Sequence, residues 1–336
     1  MSGRLQIVEA LRGFAALSVV WFHLTNQYSD SWVRATGALG WLGVEVFFVI
    51  SGFIIPYSIS KLEYAYGLRD FPRFIMRRIF RLEPPYLASI VLALGLWHLS
   101  SLAPGFQGGP PPNDIGQIAA NMLYLVPLTG HEWLQPVYWT LAWEFSFYLT
   151  IGLLFPFIGN PGALARWFLG AMILVTAVLF DLLPAISLLF VLGFSIFRMS
   201  QSLSCRESLA EWTIIIVAAA AIALENPLVA FVGLSTAIII RLLLGLSLPH
   251  GVTRILLWLG AISYSLYLTH VPIGGRVVNL GRRVVDGPWQ ELALSVFALA
   301  SCILFAVVFR RLIEKPAIAL SRRQAEKLSG PTEKSV

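Results

Sequence analysis

The chain has 336 residues, of which 57% are hydrophobic and only 12% are charged. This charged share is about half that of an ordinary soluble chain, which argues against a soluble fold. The two cysteines, Cys205 and Cys302, lack the spacing of metal ligands or of disulfide partners, so we predict no metal site and inert thiols.

Apolar stretches close to the roughly 20 residues that cross a bilayer recur along the whole chain. Eight predicted transmembrane helices cover residues 8–27, 39–58, 85–103, 137–157, 164–181, 227–247, 255–273 and 290–310. Two shorter stretches, 183–199 and 211–224, are predicted to be short spans, or one of them to be re-entrant. The sequence therefore predicts an all-α, polytopic membrane bundle of about ten transmembrane helices.

The segments between and after these helices are short. The longest exterior loop, 104–116, is rich in Pro and Gly, and 117–128 is predicted to lie along the outer surface or to dip into the membrane. No linker divides the chain, which predicts one membrane domain over 1–320 and a polar, disordered cytoplasmic tail over 321–336.

The cations predict the orientation, because Lys and Arg are held on the cytoplasmic side of a membrane. With ten spans and both the N- and C-termini in the cytoplasm, twenty of the 24 cations lie inside. The four outside are Arg34, Arg276, Arg282 and Arg283. The net charge of +6 then reflects topology, and no nucleic-acid partner is predicted.

The first predicted helix carries Arg12 and His23, eleven residues apart. At 100° and 1.5 Å per residue they lie within about 20° of one face and about 16 Å apart in depth. Imidazole is the usual general base near neutral pH, so His23 is a candidate base. The alternative is a histidine that is hydrogen bonded inside the bundle or placed at the outer interface.

Two further segments carry charged residues, one inside the second predicted span and one at the cytoplasmic surface. In the second span Glu45 and Gly52 share a face beside Ser51, which suits either ligand contact or close helix packing. At the cytoplasmic surface Arg78 and Arg81 lie three residues apart in the basic segment 73–84. Their guanidinium groups suit phosphate oxygens, although from charge alone topological anchoring with attraction to anionic lipid is the favoured explanation.

Polar groups also occur in two later spans. Glu144 lies among aromatic residues, where a carboxylate needs a partner; His23 is one candidate and an arginine such as Arg34 another. Ser263, Tyr267 and His270 follow an i, i+4, i+7 pattern on one side of the ninth span. That stripe indicates ligand contact, or aromatic residues at the membrane interface.

The residues of these segments and the order of the segments along the chain resemble the acyltransferase 3 family of integral membrane O-acyltransferases. The resemblance covers nearly the whole chain. The matching segments are Leu11-Arg12-Gly13 with His23, 43–52, 77–84, Trp139–Glu144 with Tyr148, 260–270, and Glu314-Lys315-Pro316. Each match alone is weak, whereas all of them in the right order are specific.

The resemblance implies an enzyme of the bacterial inner (plasma) membrane that transfers an acyl group, expected to be acetyl, from cytoplasmic acyl-CoA. The implied acceptor is a hydroxyl of a surface polysaccharide, a lipid-linked saccharide or a similar molecule. Many family members carry a fused extracellular hydrolase-like domain. None follows here, so we expect the membrane domain to act alone or to pass the acyl group to a separate envelope partner.

With the resemblance, the candidate residues receive expected roles. His23 is the expected base, and Glu144 the expected carboxylate that orients its ring. Arg12, Arg78 and Arg81 are expected to bind the phosphates of acyl-CoA. The expected substrate-binding residues are Glu45, Ser51, Tyr148, Ser263, Tyr267 and His270.

Two other classes of function stay open from the sequence. A transporter or flippase would use Arg12, Glu45, Glu144 and His23 as a proton relay or substrate path, although the chain lacks the internal repeats typical of transporters. A non-catalytic scaffold of an envelope assembly would keep its function when His23 is replaced by alanine.

Overall fold

The computed structural model describes residues 5–29, 31–62, 64–103, 109–201, 203–246 and 250–328. Within these residues the chain is helical and has no β-strand. The α-helices are α1 (Gln6–Thr25), α2 (Trp32–Gly37), α3 (Gly43–Ser60), α4 (Phe71–Ser101), α5 (Ile115–Met122), α6 (Val126–Thr129), α7 (Tyr138–Ile158), α8 (Leu164–Leu179), α9 (Ile186–Met199), α10 (Cys205–Glu225), α11 (Pro227–Leu243), α12 (His250–Gly281), α13 (Pro288–Phe309) and α14 (Lys315–Leu328). Residues 104–108 of the predicted loop and 329–336 of the predicted tail lie outside the described residues.

The helix lengths confirm the prediction of an all-α polytopic membrane protein. Eight helical stretches of the described residues are long and apolar enough to cross a membrane, and α9 and α11 are shorter apolar helices. The number of spans that cross the membrane, and the cytoplasmic position of both termini, stay predictions.

The relative lengths of α10 and α11 differ from the sequence-based expectation. The stretch 211–224, predicted to be short, belongs to the 21-residue α10, whereas 227–247, predicted to be a full span, yields the 17-residue α11. Ser204 and Glu207 form a capping box, which adds a polar first turn to α10 that a hydropathy pattern does not reveal. At the other end α11 stops before Gly245, whose φ of +90° is incompatible with helix.

Two helices extend beyond the predicted spans. The basic segment 73–84 is continuous with the following span in the 31-residue α4, in spite of Pro84 and Pro85. The prediction of a disordered tail from Ser321 is wrong for 321–328, which extend α14. The Ser321 hydroxyl donates to the Arg77 carbonyl at 2.7 Å, so α14 is held against α4.

The chain forms two compact units. The first unit contains the described residues of Met1–Ser18, Trp41–Phe71 and Glu144–Ala261. The second contains the described residues of Val19–Gly40, Pro72–Trp143 and Ile262–Val336. Helices α1, α7 and α12 each contribute residues to both units.

In the first unit, α3 and α9 approach each other backbone to backbone. A Cβ added to Gly193 would lie 2.1 Å from the Val49 carbonyl oxygen, and one added to Gly52 would lie 2.4 Å from the Phe190 carbonyl oxygen. Small residues permit such close helix contacts where lipid removes most of the hydrophobic driving force. The small-residue reading of Gly52 is therefore correct.

A second close contact in the first unit joins α1 and α12. A Cβ on Gly13 would lie 2.4 Å from the Leu256 carbonyl oxygen, and one on Gly260 would lie 2.1 Å from the Glu9 carbonyl oxygen. Two glycines of the matching segments thus serve helix packing.

In the second unit, the C-terminal end of α1 packs against α12 and α13. A Cβ on Gly274 would lie 2.5 Å from a Leu24 methyl group and 2.7 Å from the Cys302 Sγ. Nearby, the Ser295 hydroxyl donates to the Tyr28 hydroxyl at 3.0 Å. These contacts fix the part of α1 that carries His23.

Candidate active site

Two histidines meet in the second unit. His23 on α1 and His270 on α12 have ring centroids 5.0 Å apart at an interplanar angle of 65°. The Nδ1 atom of His23 lies 3.3 Å from Nε2 of His270. His270 is fully buried, whereas His23 is half-buried.

One ring nitrogen of His23 is engaged by the backbone of its own helix. Nδ1 lies 2.9 Å from the Val19 carbonyl oxygen, which only accepts hydrogen bonds, so Nδ1 carries the proton of the neutral ring. The neutral ring then has its lone pair at Nε2. No hydrogen-bond partner lies at Nε2 among the described residues, so this nitrogen is available to take a proton.

Residues of α7 and α12 line the His270 side of the pair. The Tyr267 ring centroid lies 5.8 Å from that of His270, and the Tyr267 hydroxyl lies 2.7 Å from the Thr140 hydroxyl. Ser263, Tyr267 and His270 are all buried, so the predicted polar stripe of the ninth span faces the protein interior.

The first unit contains a carboxylate with two hydroxyl groups as hydrogen-bond donors. Glu144 accepts a hydrogen bond of 2.5 Å from the Tyr148 hydroxyl and one of 3.3 Å from the Ser51 hydroxyl, both at Oε1. The structure therefore brings together three of the predicted site residues, from α3 and α7. Glu144 and His23 belong to different units, and their pairing stays a prediction.

Glu45, also in the first unit, is buried on α3. Its Oε2 atom has no hydrogen-bond partner among the described residues. A buried carboxylate without a partner is costly in its ionised form, so it is a candidate for proton binding.

The three predicted phosphate-binding arginines have different surroundings. Arg12 is partly exposed and lies 3.7 Å from the Glu9 carboxylate, three residues earlier on α1. The Arg78 guanidinium lies 5.3 Å from the Phe74 ring centroid, and Arg81 is exposed. Arg78 and Arg81 are the eighth and eleventh residues of α4.

The structure also shows buried polar pairs that the sequence did not predict. In the second unit the Ser265 hydroxyl donates to Glu314 at 2.5 Å, where Arg310–Glu314 form a π-helical turn between α13 and α14. In the first unit Arg198 and Glu211 form a fully buried ion pair at 2.5 Å. Helical spacing did not indicate the pair of Ser265 and Glu314. For the second pair the sequence did contain an indication, because Arg198 and Glu211 both lie in apolar stretches.

No group of three or more His, Cys, Asp or Glu side chains suited to a metal ion occurs among the described residues. The two clusters contain groups suited to proton transfer and hydrogen bonding: an imidazole pair in one unit and a carboxylate with two hydroxyls in the other.

The fold and these clusters define a class: a polytopic, all-α integral membrane protein with buried groups suited to acid–base chemistry. Residues 5–310 match the family described as acyltransferase domain, so the chain belongs to this acyltransferase family. The resemblance found in the sequence is thereby confirmed.

Curated relatives agree with the family. The chain is 27% identical to the acyltransferase MdmB of Streptomyces mycarofaciens, over 50% of this chain and 43% of the relative. It is 26% identical to the O-acetyltransferase OatA of Staphylococcus aureus, over 45% of this chain and 24% of the relative. It is 38% identical to the putative peptidoglycan O-acetyltransferase YrhL of Bacillus subtilis, over 23% of this chain and 11% of the relative. The chain thus spans less than half the length of these relatives, and no solved structure matches it.

Proposed function

We propose that the protein is a membrane O-acyltransferase that moves an acyl group, in the first instance acetyl, from acyl-CoA to a hydroxyl of a glycan acceptor. The observation that carries the proposal is His23, a half-buried imidazole with Nδ1 hydrogen bonded and Nε2 available, inside a chain that matches the acyltransferase family over residues 5–310.

In the proposed reaction, His23 Nε2 takes the proton of the acceptor hydroxyl as that oxygen attacks the thioester carbonyl carbon. The new C–O ester bond forms and the C–S bond breaks. The imidazolium then returns the proton to the departing thiolate, so the products are the ester and free CoA. General acid–base catalysis of this kind typically contributes about 10²–10⁴-fold to the rate.

We propose that Arg12, Arg78 and Arg81 bind the phosphate groups of acyl-CoA. Guanidinium groups donate paired hydrogen bonds to phosphate oxygens, and the exposure of Arg81 in the N-terminal part of α4 supports contact with a soluble nucleotide. The same residues would lie at the cytoplasmic face in the predicted topology, where acyl-CoA is found.

Glu144 is proposed as a second catalytic group, and Ser51 and Tyr148 as residues that hold it. The Ser51 and Tyr148 hydroxyls both donate to Oε1 of Glu144 and hold the carboxylate in one orientation, which supports a role in binding or orienting a proton donor. Glu45, Ser263 and Tyr267 stay proposed substrate-binding residues.

The names of the relatives guide the choice of substrates. OatA is named as an O-acetyltransferase and YrhL as a putative peptidoglycan O-acetyltransferase, which supports acetyl as the group and a cell-wall or surface glycan as the acceptor. We place the protein in the bacterial inner membrane, where it acts alone or with a separate envelope partner.

The test is CoA release from acetyl-CoA by purified protein with a membrane glycan extract as acceptor. Wild type is compared with His23→Ala and with His98→Ala, an exposed histidine of α4 outside the proposed site. We expect release by wild type and His98→Ala, and a loss of about 100-fold or more in folded His23→Ala. Equal rates would remove His23 from the chemistry, and no release with any acyl donor would favour the transporter.

A further inference from the structure

His270 contacts the His23 ring at Nδ1, whereas the nitrogen of His23 that is available to take a proton is Nε2. Its own Nδ1 is 2.7 Å from the Tyr267 carbonyl oxygen and 3.2 Å from the Leu266 carbonyl oxygen. Both oxygens only accept, so Nδ1 of His270 carries a proton. In the neutral ring the lone pair is then at Nε2, which lies 3.3 Å from His23.

The hydrogen bonds of the pair therefore run in one direction. The Nδ1 proton of His23 is shared between the Val19 carbonyl oxygen and the Nε2 lone pair of His270. The opposite arrangement, with a proton on His270 Nε2, would set two N–H groups against each other. No described residue lies within hydrogen-bond distance of His23 Nε2, so this direction leaves the uncommitted lone pair of the two rings on that atom.

We infer that His270 is a positioning residue that fixes the ring orientation of His23 and, together with the Val19 carbonyl, its tautomer. This role differs from the substrate contact expected from the sequence, and it suits a side chain that is fully buried. In serine hydrolases a carboxylate performs the same task for the catalytic imidazole. When His23 takes a proton, its Nδ1–H bond to His270 becomes charge-assisted and stronger.

The inference rests on the proposed function, because it assigns His270 a part in the reaction of His23. Three substitutions distinguish the roles of the two ring nitrogens of His270. His270→Gln keeps an acceptor near the Nε2 position and so faces His23. His270→Asn keeps a donor near the Nδ1 position, toward the Tyr267 carbonyl, but is too short to reach His23. His270→Ala removes both.

A matched control is Thr269→Val on the same helix. Thr269 is also fully buried, and its hydroxyl donates to the Ser265 carbonyl at 2.8 Å rather than to either imidazole. It tests whether any polar change in this part of α12 lowers activity.

We expect kcat for CoA release to fall about 10- to 100-fold in His270→Asn and His270→Ala, with the KM for acetyl-CoA changed less than about threefold. His270→Gln should recover kcat to within about fivefold of wild type, and Thr269→Val should resemble wild type. Wild-type kcat in folded His270→Asn, or a loss in Thr269→Val as large as that in His270→Asn, would overturn the inference.

A second measurement does not depend on turnover. Solid-state NMR of ¹⁵N-histidine-labelled protein, with His23 assigned by loss of its signals in His23→Gln, reports which nitrogen is protonated. We expect His23 in wild type and His270→Gln to be protonated at Nδ1 only. In His270→Ala the Nδ1 proton of His23 keeps only the Val19 carbonyl as acceptor, so we expect a detectable Nε2-protonated fraction of His23 beside the main Nδ1 form. Protonation at Nε2 in the neutral wild-type ring would overturn the inference. If wild type releases no CoA, the proposed function fails, while the NMR result still decides whether His270 fixes His23.

Discussion

The buried ion pair of Arg198 and Glu211 is the feature of the first unit that a single substitution tests most directly. Arg198 Nε donates to Glu211 Oε1 at 2.5 Å, and Trp167 Nε1 donates to Glu211 Oε2 at 2.9 Å. The other guanidinium nitrogens donate to backbone carbonyls of Ile158, Asn160 and Pro161. Each oxygen of Glu211 therefore receives a donor.

Replacing Glu211 with glutamine keeps the shape and removes one acceptor and the negative charge. The amide has a single oxygen, so either Arg198 or Trp167 faces its NH₂ group and loses its partner. Breaking a buried pair in this way costs about 3–5 kcal/mol. We expect the lower end, about 3 kcal/mol, because Arg198 keeps its carbonyl acceptors.

The assay is the temperature at which detergent-purified protein loses its monodisperse size-exclusion peak. At about 2–4 °C per kcal/mol, Glu211→Gln should lower this temperature by roughly 6–12 °C. The control is Glu225→Gln, the same change at an exposed position of α10. A Glu211→Gln protein as stable as Glu225→Gln would refute the reasoning that this pair holds α9 and α10 together.

The remaining predictions concern packing and the proposed chemistry. Gly193→Ala should destabilise the protein by about 1–3 kcal/mol in the same assay, whereas Gly170→Ala, with open space around it, should not; equal melting would contradict the close contact. Tyr148→Phe should lower kcat for CoA release about tenfold through Glu144, without lowering thermal stability by more than about 3 °C. Arg81→Gln should raise the KM for acetyl-CoA about tenfold with kcat unchanged; an unchanged KM would remove Arg81 from phosphate binding.

Local sequence patterns predicted the elements well, because hydropathy and helical spacing are local properties. The apolar runs gave most of the long helices, and the i, i+4, i+7 pattern gave the buried stripe of Ser263, Tyr267 and His270 on α12. The patterns failed at helix ends. Capping by Ser204 and the continuation of α14 past Ser321 depend on side-chain hydrogen bonds and tertiary contacts, which hydropathy does not encode.

Partners across helices were harder to predict than the residues themselves. His23 and His270 are 247 residues apart in sequence, and spacing within either helix does not tell which helix the other packs against. The expectation of Glu144 as the partner of His23 came from the general preference of imidazole for carboxylates. In the structure Glu144 accepts hydrogen bonds from Ser51 and Tyr148 within the first unit, and His23 contacts His270 within the second. The pairing of Glu144 with His23 stays a prediction.

The matching segments of the acyltransferase family combine two kinds of residue, which an activity measurement alone does not separate. Gly13, Gly52 and Gly260 are needed because a Cβ would collide with a neighbouring backbone, so substitutions there act through packing. His23 has a ring nitrogen without a hydrogen-bond partner among the described residues, so under the proposed mechanism its substitution acts through chemistry. Loss of activity therefore identifies a catalytic residue in this protein only when the folded fraction is measured in the same preparation.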